Sequence, residues 1–362
     1  MVEKYDYNFE PLIRKVGEEC IIRPERNGVT LYDNTTDQYI FYSSLKFNQL
    51  SNIKSSFELR KFLTSYAGCI SKSIDYSAPF RGNWLLETRC NLDCIYCFAD
   101  DKMQTRHLFK NFDHSTTIHL LKRLNVMNVG ITGGEPTLNP DLANIVSRIS
   151  EFATVNIDTN GTIECFDESF VKMLKLQNVL VRISVDSFDE DLAKRVRLFK
   201  KKDYSYETLE RNISYLIQNG VNVLVHNVVT SYNIDDLYGV AQELIKLHVK
   251  RWHIYGVHKS SKCADFYEQI RVSAIELEST VQKLKQLFSD KIHISMFLDD
   301  KKYSENSILF VDHLGRLFVD SVQRGVRFID TSNVNPILAV ANSLNIKAHC
   351  NDYLTLERII RD

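Results

Sequence analysis

Cys90-Asn91-Leu92-Asp93-Cys94-Ile95-Tyr96-Cys97 is the stretch on which the reading of the whole chain turns. Three of the eight cysteines fall in it, and the Cys-x3-Cys-x2-Cys spacing brings their sulfurs to one side of a tight loop. Structural zinc takes four closed ligands, whereas a cubane iron–sulfur cluster can be held by three thiolates with its fourth iron left open. Three thiols therefore predict a cluster; the alternative is a zinc knuckle completed by His107 or by a distant cysteine such as Cys69.

Outward from the loop, the chain alternates. Apolar runs at Trp84–Glu87, Asn128–Thr132, Thr154–Asp158, Val179–Val185, Val221–Val229 and Arg251–Val257 predict strands. Between them, helix-period segments lie at Ser115–Leu124, Asp141–Phe152, Asp167–Leu176, Tyr206–Gln218 and Ile234–Leu247. Six β/α units demand a parallel sheet with helical crossovers, buried on both faces or curled into a barrel. Functional loops then belong at the C-terminal ends of the strands, and the cysteine loop follows the first of them.

Other polar groups interrupt these strand ends. Thr132-Gly133-Gly134-Glu135-Pro136 follows the second strand, where two glycines let backbone approach a ligand and Glu135 can accept from an ammonium; read alone it is a turn. Ser184 and Asp186 lie two apart on the fourth strand and point the same way, suiting paired hydrogen bonds; the alternative is a helix N-cap near Asp189. Asn160 sits in a Thr-Asn-Gly turn after the third strand. On the fifth, His226 and Asn227 break an apolar run, with Asn227 expected to face the interior and His226 to be a core histidine. His253 and Tyr255 share one face of the sixth strand, suited to substrate contact or to aromatic packing. Cys263 follows in a polar loop, where a thiol can donate a hydrogen atom; Cys165 and Cys350 are weaker candidates.

The eight-residue stretch resembles the signature of the radical S-adenosylmethionine (radical SAM) enzymes, including the aromatic Tyr96 before the last cysteine. The resemblance implies an α/β fold, a partial (β/α)6 TIM-like barrel with a small N-terminal α+β domain and a C-terminal α/β extension. It implies one [4Fe-4S] cluster on Cys90, Cys94 and Cys97, with SAM chelating the open iron. Gly133-Gly134-Glu135 then corresponds to the motif for the methionyl amino group, Ser184 and Asp186 to the ribose motif, and Arg197 to the carboxylate arginine, with Arg195 its rival. Tyr96, Asn160 and Asn227 complete the expected cofactor contacts. A flavodoxin or ferredoxin is the implied electron donor. The expected reaction is reductive cleavage of SAM to a 5′-deoxyadenosyl radical that takes a hydrogen from a ribosomally made peptide, for epimerisation or cross-linking. A small-molecule substrate, and a non-catalytic metal-binding protein, are the alternatives.

Three domains are expected, at 1–80, 81–260 and 261–362. In the first, β-type runs at Glu19–Arg23, Val29–Asp33 and Gln38–Tyr42, separated by turn signals at Pro24 with Asn27-Gly28 and at Asp33-Asn34, precede an amphipathic helix over Ser55–Tyr66. This order resembles the winged-helix-like clamp that holds a precursor peptide by strand addition; a structural cap on the barrel is the alternative. The third domain reads as a helix over Ala274–Phe288, a strand over Lys291–Phe297, a hairpin of Ile308–Val311 with Leu317–Val319, and helices over Asn335–Leu344 and Tyr353–Ile360. Beyond Cys263 its one cysteine is Cys350, which leaves no ligand set for an auxiliary cluster.

Hydrophobic residues at 44% and charged ones at 25% exclude a disordered chain and a disulfide-scaffold peptide. A net charge of -1 gives no bulk field for nucleic acid or an anionic membrane. With no basic-then-apolar N-terminus and no apolar run of about 18 residues, a cytoplasmic protein is expected.

Overall fold

An antiparallel sheet opens the chain: β1 (Arg14–Val16), β2 (Cys20–Glu25), β3 (Gly28–Asp33) and β4 (Gln38–Ser43), in that order. A computed structural model describes residues 13–17, 19–71, 78–103, 113–199, 206–298, 306–321, 325–331 and 335–353. The turn expected at Pro24 with Asn27-Gly28 falls between Glu25 and Gly28, and Pro24 itself lies inside β2 opposite Val29. It is tolerated because β1 pairs only with Cys20–Ile22, leaving Pro24 without a ladder on that side. The helix Ser56–Leu63 is capped by Ser55, whose hydroxyl accepts from the Glu58 N–H while Glu58 reaches back to the Ser55 N–H. Leu59 and Leu63 from this helix join Ile22, Leu31 and Ile40 in one core. Alternation puts Ile21, Tyr32, Tyr39 and Phe41 on the other face, against Phe80 and Met127.

The main sheet and a small hairpin take the remaining strands. These are β5 (Arg81–Glu87), β6 (Leu92–Cys94), β7 (Asn128–Gly133), β8 (Thr154–Thr159), β9 (Leu180–Ser184) and β10 (Arg197–Phe199). There follow β11 (Asn222–Val229), β12 (Arg251–Gly256), β13 (His293–Phe297), β14 (Leu309–Val311), β15 (Leu317–Ser321) and β16 (Gly325–Phe328). The order β13-β12-β11-β9-β8-β7-β5-β14-β15-β16 makes the curved α/β sheet of a partial TIM-like barrel, with every pairing from β13 to β14 parallel. The parallel run extends past the sixth expected strand: β13 adds to β12, and β14 aligns Phe310 with Asn83 of β5.

Helix-facing side chains such as Trp84, Ile131, Ile157, Ile183, Val225 and Trp252 share one apolar core. The opposite face is polar, as the barrel alternative allows: Asn83, Asp158, Arg182, Ser184, His226 and His253 line the barrel lumen. Gly130 is part of this design, since a Cβ there would strike the Arg81 guanidinium and meet Asn83 Oδ1 at 2.9 Å.

The N-terminal sheet closes the floor of that lumen. From the β3–β4 turn, Asp37 accepts from Tyr32 Oη at 2.7 Å and from Asn156 Nδ2 at 3.2 Å, and faces Arg182 Nη1 at 3.6 Å. Arg182 in turn grips Asp158, Nε to Oδ1 at 2.6 Å and Nη2 to Oδ2 at 2.9 Å. Arg23, fully buried, donates to the carbonyls of Pro79 at 2.8 Å, Ala78 at 2.9 Å and Asn125 at 3.1 Å. On the C-terminal side, His349 in the helix Ile346–Tyr353 accepts from the Phe80 N–H at 2.9 Å and meets the Ser307 carbonyl at 2.6 Å, which ties the chain end to β5. The expected helix over Tyr353–Ile360 falls outside the described residues beyond Tyr353, as do His107 and the Cys350 side chain. Among the described residues, no helix is long and apolar enough to cross a membrane.

Candidate cofactor site at the mouth of the barrel

The thiol loop leaves β5 through a bulge between Leu85 and Glu87. β6 then pairs antiparallel with β10, placing Arg197 opposite Cys94, and the Ile95 N–H donates to the Val196 carbonyl at 3.0 Å. Neither three-residue strand was visible in the sequence, whose apolar signal at this length is too short. The diglycine passes directly beneath: the Gly134 N–H donates to the Glu87 carbonyl at 2.6 Å and the Glu135 N–H to the Arg89 carbonyl at 2.8 Å. A Cβ on Gly134 would strike the Arg89 carbonyl, and Gly133 has φ 134°, so both positions require glycine.

Hydrogen-bond donors surround the sulfurs. Cys90 Sγ accepts from the Leu92 N–H at 3.4 Å and lies 3.9 Å from Asn160 Nδ2. The backbone N–H groups of Asp100 and Ala99 point at Cys97 and work against the burial that pushes its thiol up. Burial pushes Cys94 up to about 12; Arg197 opposes this, while Cys97, Asp186 and Cys90 add to it. The three thiols thus feel one another, although no three His, Cys, Asp or Glu side chains among the described residues gather round a single-ion point. Mutually coupled thiols with N–H donors at sulfur suit a thiolate-held iron–sulfur cluster, whose added charge those dipoles would stabilise.

Asn160, Glu135, Asp186 and Arg197 knit the loops together. Asn160 Nδ2 donates to Asn91 Oδ1 at 2.8 Å, and Asn91 donates to Thr162 at 2.8 Å. Glu135, 1% exposed, takes Thr137 N–H, Thr137 Oγ1 and Thr159 Oγ1 on Oε1 and the Asn160 N–H on Oε2. Burial nevertheless raises its pKa. Asp186, also 1% exposed, is raised by burial against the pull of Arg197, the Tyr96 hydroxyl and the Val228 N–H. Arg197 Nη1 donates to the Ser184 carbonyl at 2.5 Å, and its Nε lies 3.8 Å from Asp186. Its rival Arg195 is elsewhere, 4.6 Å over the Tyr232 ring.

Asn227 and His226 exchange the orientations expected of them. Asn227 points to the helix side and donates to the carbonyls of Val185 at 2.7 Å and Asp186 at 3.1 Å, while His226 faces the lumen. Parity explains this: Val225 and Val229 belong to the helix-packed core, and residue 227 shares their face. Cys263 is fully buried with Ile95 and Tyr96 as neighbours in an apolar cluster, and its sulfur accepts from the Ser260 N–H at 3.4 Å. Asp189 does cap the helix Glu190–Val196, leaving Asp186 to the mouth. Cys69, the distant zinc candidate, lies on a turn of the N-terminal unit, where its carbonyl accepts from Ser43.

A family model of the radical SAM superfamily matches residues 86–244. Among relatives of similar sequence is a probable GTP 3′,8-cyclase of Pyrococcus abyssi, 24% identical over 208 residues, 56% of this chain and 66% of that protein. Another is AlbA of Bacillus subtilis, an antilisterial bacteriocin subtilosin biosynthesis protein, 23% identical over 245 residues, 67% of this chain and 53% of that protein. Both alignments span less than two thirds of the relative. Streptococcus suis SuiB bound to S-adenosylmethionine has a similar fold, with TM-score 0.61 at 14% identity over 93% of this chain and 90% of that chain. The family match begins at the end of β5 and takes in the thiol loop, the diglycine turn and the strand end at Asp186; residues 86–244 match a radical SAM domain.

Proposed function

We propose that this enzyme cleaves SAM reductively and takes a hydrogen atom from a ribosomally made peptide. Convergence carries the reading: Glu135, Asn160 and Asp186, from the ends of β7, β8 and β9, meet the thiol loop, with Arg197 in register with Cys94 and Asn160 beside Cys90. Cys90, Cys94 and Cys97 would hold the [4Fe-4S] cluster. Gly133, Gly134 and Glu135 would receive the methionyl amino group, Ser184 and Asp186 the ribose, and Arg197 the carboxylate. Tyr96, Asn160 and Asn227 hold Asp186 and the loop in place. When bound and reduced by a flavodoxin or ferredoxin, the cluster supplies the electron that breaks the sulfonium C–S bond and so generates the 5′-deoxyadenosyl radical. The chain's task is to orient SAM and exclude water and stray hydrogen donors.

The peptide reading is supported by likeness to SuiB along nearly its whole length, since SuiB also crystallises with its precursor peptide SuiA. Both faces of the N-terminal sheet are covered and β4 is bridged by Ile70, so a precursor peptide would add beside β1. The division at 80 and 260 belongs to this proposal, with the third part lending β13 and β14 to the barrel sheet. In an epimerisation Cys263 would give a hydrogen atom to the substrate radical, and the thiyl radical left behind would take one electron from the flavodoxin or ferredoxin and a proton from water. The cyclase relatives favour a second reading, a nucleotide substrate.

The test incubates reconstituted, reduced protein and SAM with a peptide encoded beside its gene, or with GTP, and follows 5′-deoxyadenosine and substrate mass. Peptide conversion with no change in GTP is expected; the reverse would overturn the peptide assignment.

A further inference from the structure

The lumen wall beyond Ser184 is unused by the site at the mouth. Strand pairing sets Ser184, His226, His253 and Ser295 in one row, and Val228, Tyr255 and Phe297 in the next row toward the mouth. Asp158 and Arg182 lie opposite each other one lumen-facing step below Ser184. These residues belong to inner strands or to β13, yet His226, His253, Tyr255 and Phe297 are only half-buried while their strand neighbours Val225, Trp252 and Ile254 are fully buried. The exposure is therefore to the lumen.

The rings are ordered. His226 and His253 stack at 5.6 Å and 12°, and Tyr255 and Phe297 stack at 4.9 Å and 15°. The two stacks meet edge-on, His226 to Tyr255 at 5.1 Å and 65°, and His253 to Phe297 at 5.1 Å and 60°. Such a panel offers π faces together with imidazole and phenol edges that donate and accept hydrogen bonds. The Asp158 carboxylate, 28% exposed and fixed by Arg182, adds an acceptor at its lower end. An aliphatic segment would use none of these polar edges.

We propose that this panel is the substrate-recognition wall and that it takes a flat ring with N–H or O–H groups on its edge. This rests on the SAM-cleaving reading of the mouth and adds the class of group presented to it. The ring can come from a peptide's aromatic side chain or from a free nucleoside.

The test titrates the full-length reconstituted protein with N-acetyl-tryptophanamide, guanosine and N-acetyl-leucinamide, comparing wild type, His253→Ala and Phe297→Ala, the last on the edge strand β13. One ring probe should bind, and either substitution should weaken it about tenfold, as loss of a ring contact with its hydrogen bond would. Binding of the tryptophan probe alone assigns the ring to a peptide, and of guanosine alone to a free nucleoside. If no ring probe binds, if the leucine probe binds equally well, or if neither substitution changes the affinity, the inference is overturned. Assaying 5′-deoxyadenosine on the same samples separates the two failures: SAM cleaved without ring recognition breaks this inference alone.

Discussion

The mouth and the floor of the barrel are both polar and both buried, but their charges are settled in opposite ways. At the floor, burial would raise the Asp37 carboxyl, yet Arg182 and Arg81 overcome it and hold Asp37 well below the usual carboxylate range. At the mouth, Glu135 and Asp186 remain raised by burial despite several donors each, and Cys94 stands at about 12. The floor's anions are matched within the chain. The mouth's acids and thiols stay costly to ionise until a cation or metal joins them, as expected of a ligand site.

The largest effect should follow substitution beneath the thiol loop. Gly134→Ala drives a methyl into the Arg89 carbonyl, backbone that cannot move without shifting the loop. We expect more than a hundredfold loss of 5′-deoxyadenosine formation, about 3 kcal/mol of lost positioning, with a circular dichroism spectrum like wild type. Near-normal turnover would show that the loop tolerates displacement. At the floor, Asp37→Ala leaves Arg182 with Asp158 alone and strips Tyr32 and Asn156 of an acceptor. Its cost should appear in stability, about 3 kcal/mol by urea unfolding; a loss of turnover with unchanged stability would erase the distinction between the two ends.

How far the sequence reaches follows the same division. The β/α alternation was legible because helix-facing positions such as Ile131, Ile157 and Val225 keep a strict apolar pattern. The mouth was legible because its residues cluster in short local motifs, Cys90–Cys97 and Gly133–Glu135 among them. Asn227 and His226 were misassigned because two adjacent polar residues leave strand parity ambiguous when the lumen is itself polar. The floor was hidden, since Asp37 meets Arg182 only through the docking of two sheets far apart in the chain. The C-terminal hairpin was readable, but its parallel pairing with β5 was not.

The smallest effect concerns the chain end. Burial pushes the His349 imidazole from 6.5 down to about 3, against its bond to the Ser307 carbonyl. As pH falls below 6.5 the unfolded chain takes up the proton first, so stability is lost between 6.5 and 3 and is unaffected above. One pH unit below 6.5 the cost is about 1.4 kcal/mol. The protection factor of the Phe80 amide, with the intrinsic exchange rate at each pH divided out, should fall about tenfold over that pH unit, and His349→Gln should remove the dependence; an unchanged protection factor would show that the imidazole is not held neutral.

The most direct measurement is of the metal itself. The protein should be reconstituted anaerobically with iron and sulfide, reduced with dithionite, and examined by metal analysis and electron paramagnetic resonance with and without SAM. About four irons and four sulfides per chain, and a cluster signal that shifts when SAM is added, are predicted, with both lost in Cys94→Ala. About one zinc with no iron, or a cluster signal indifferent to SAM, would contradict the account.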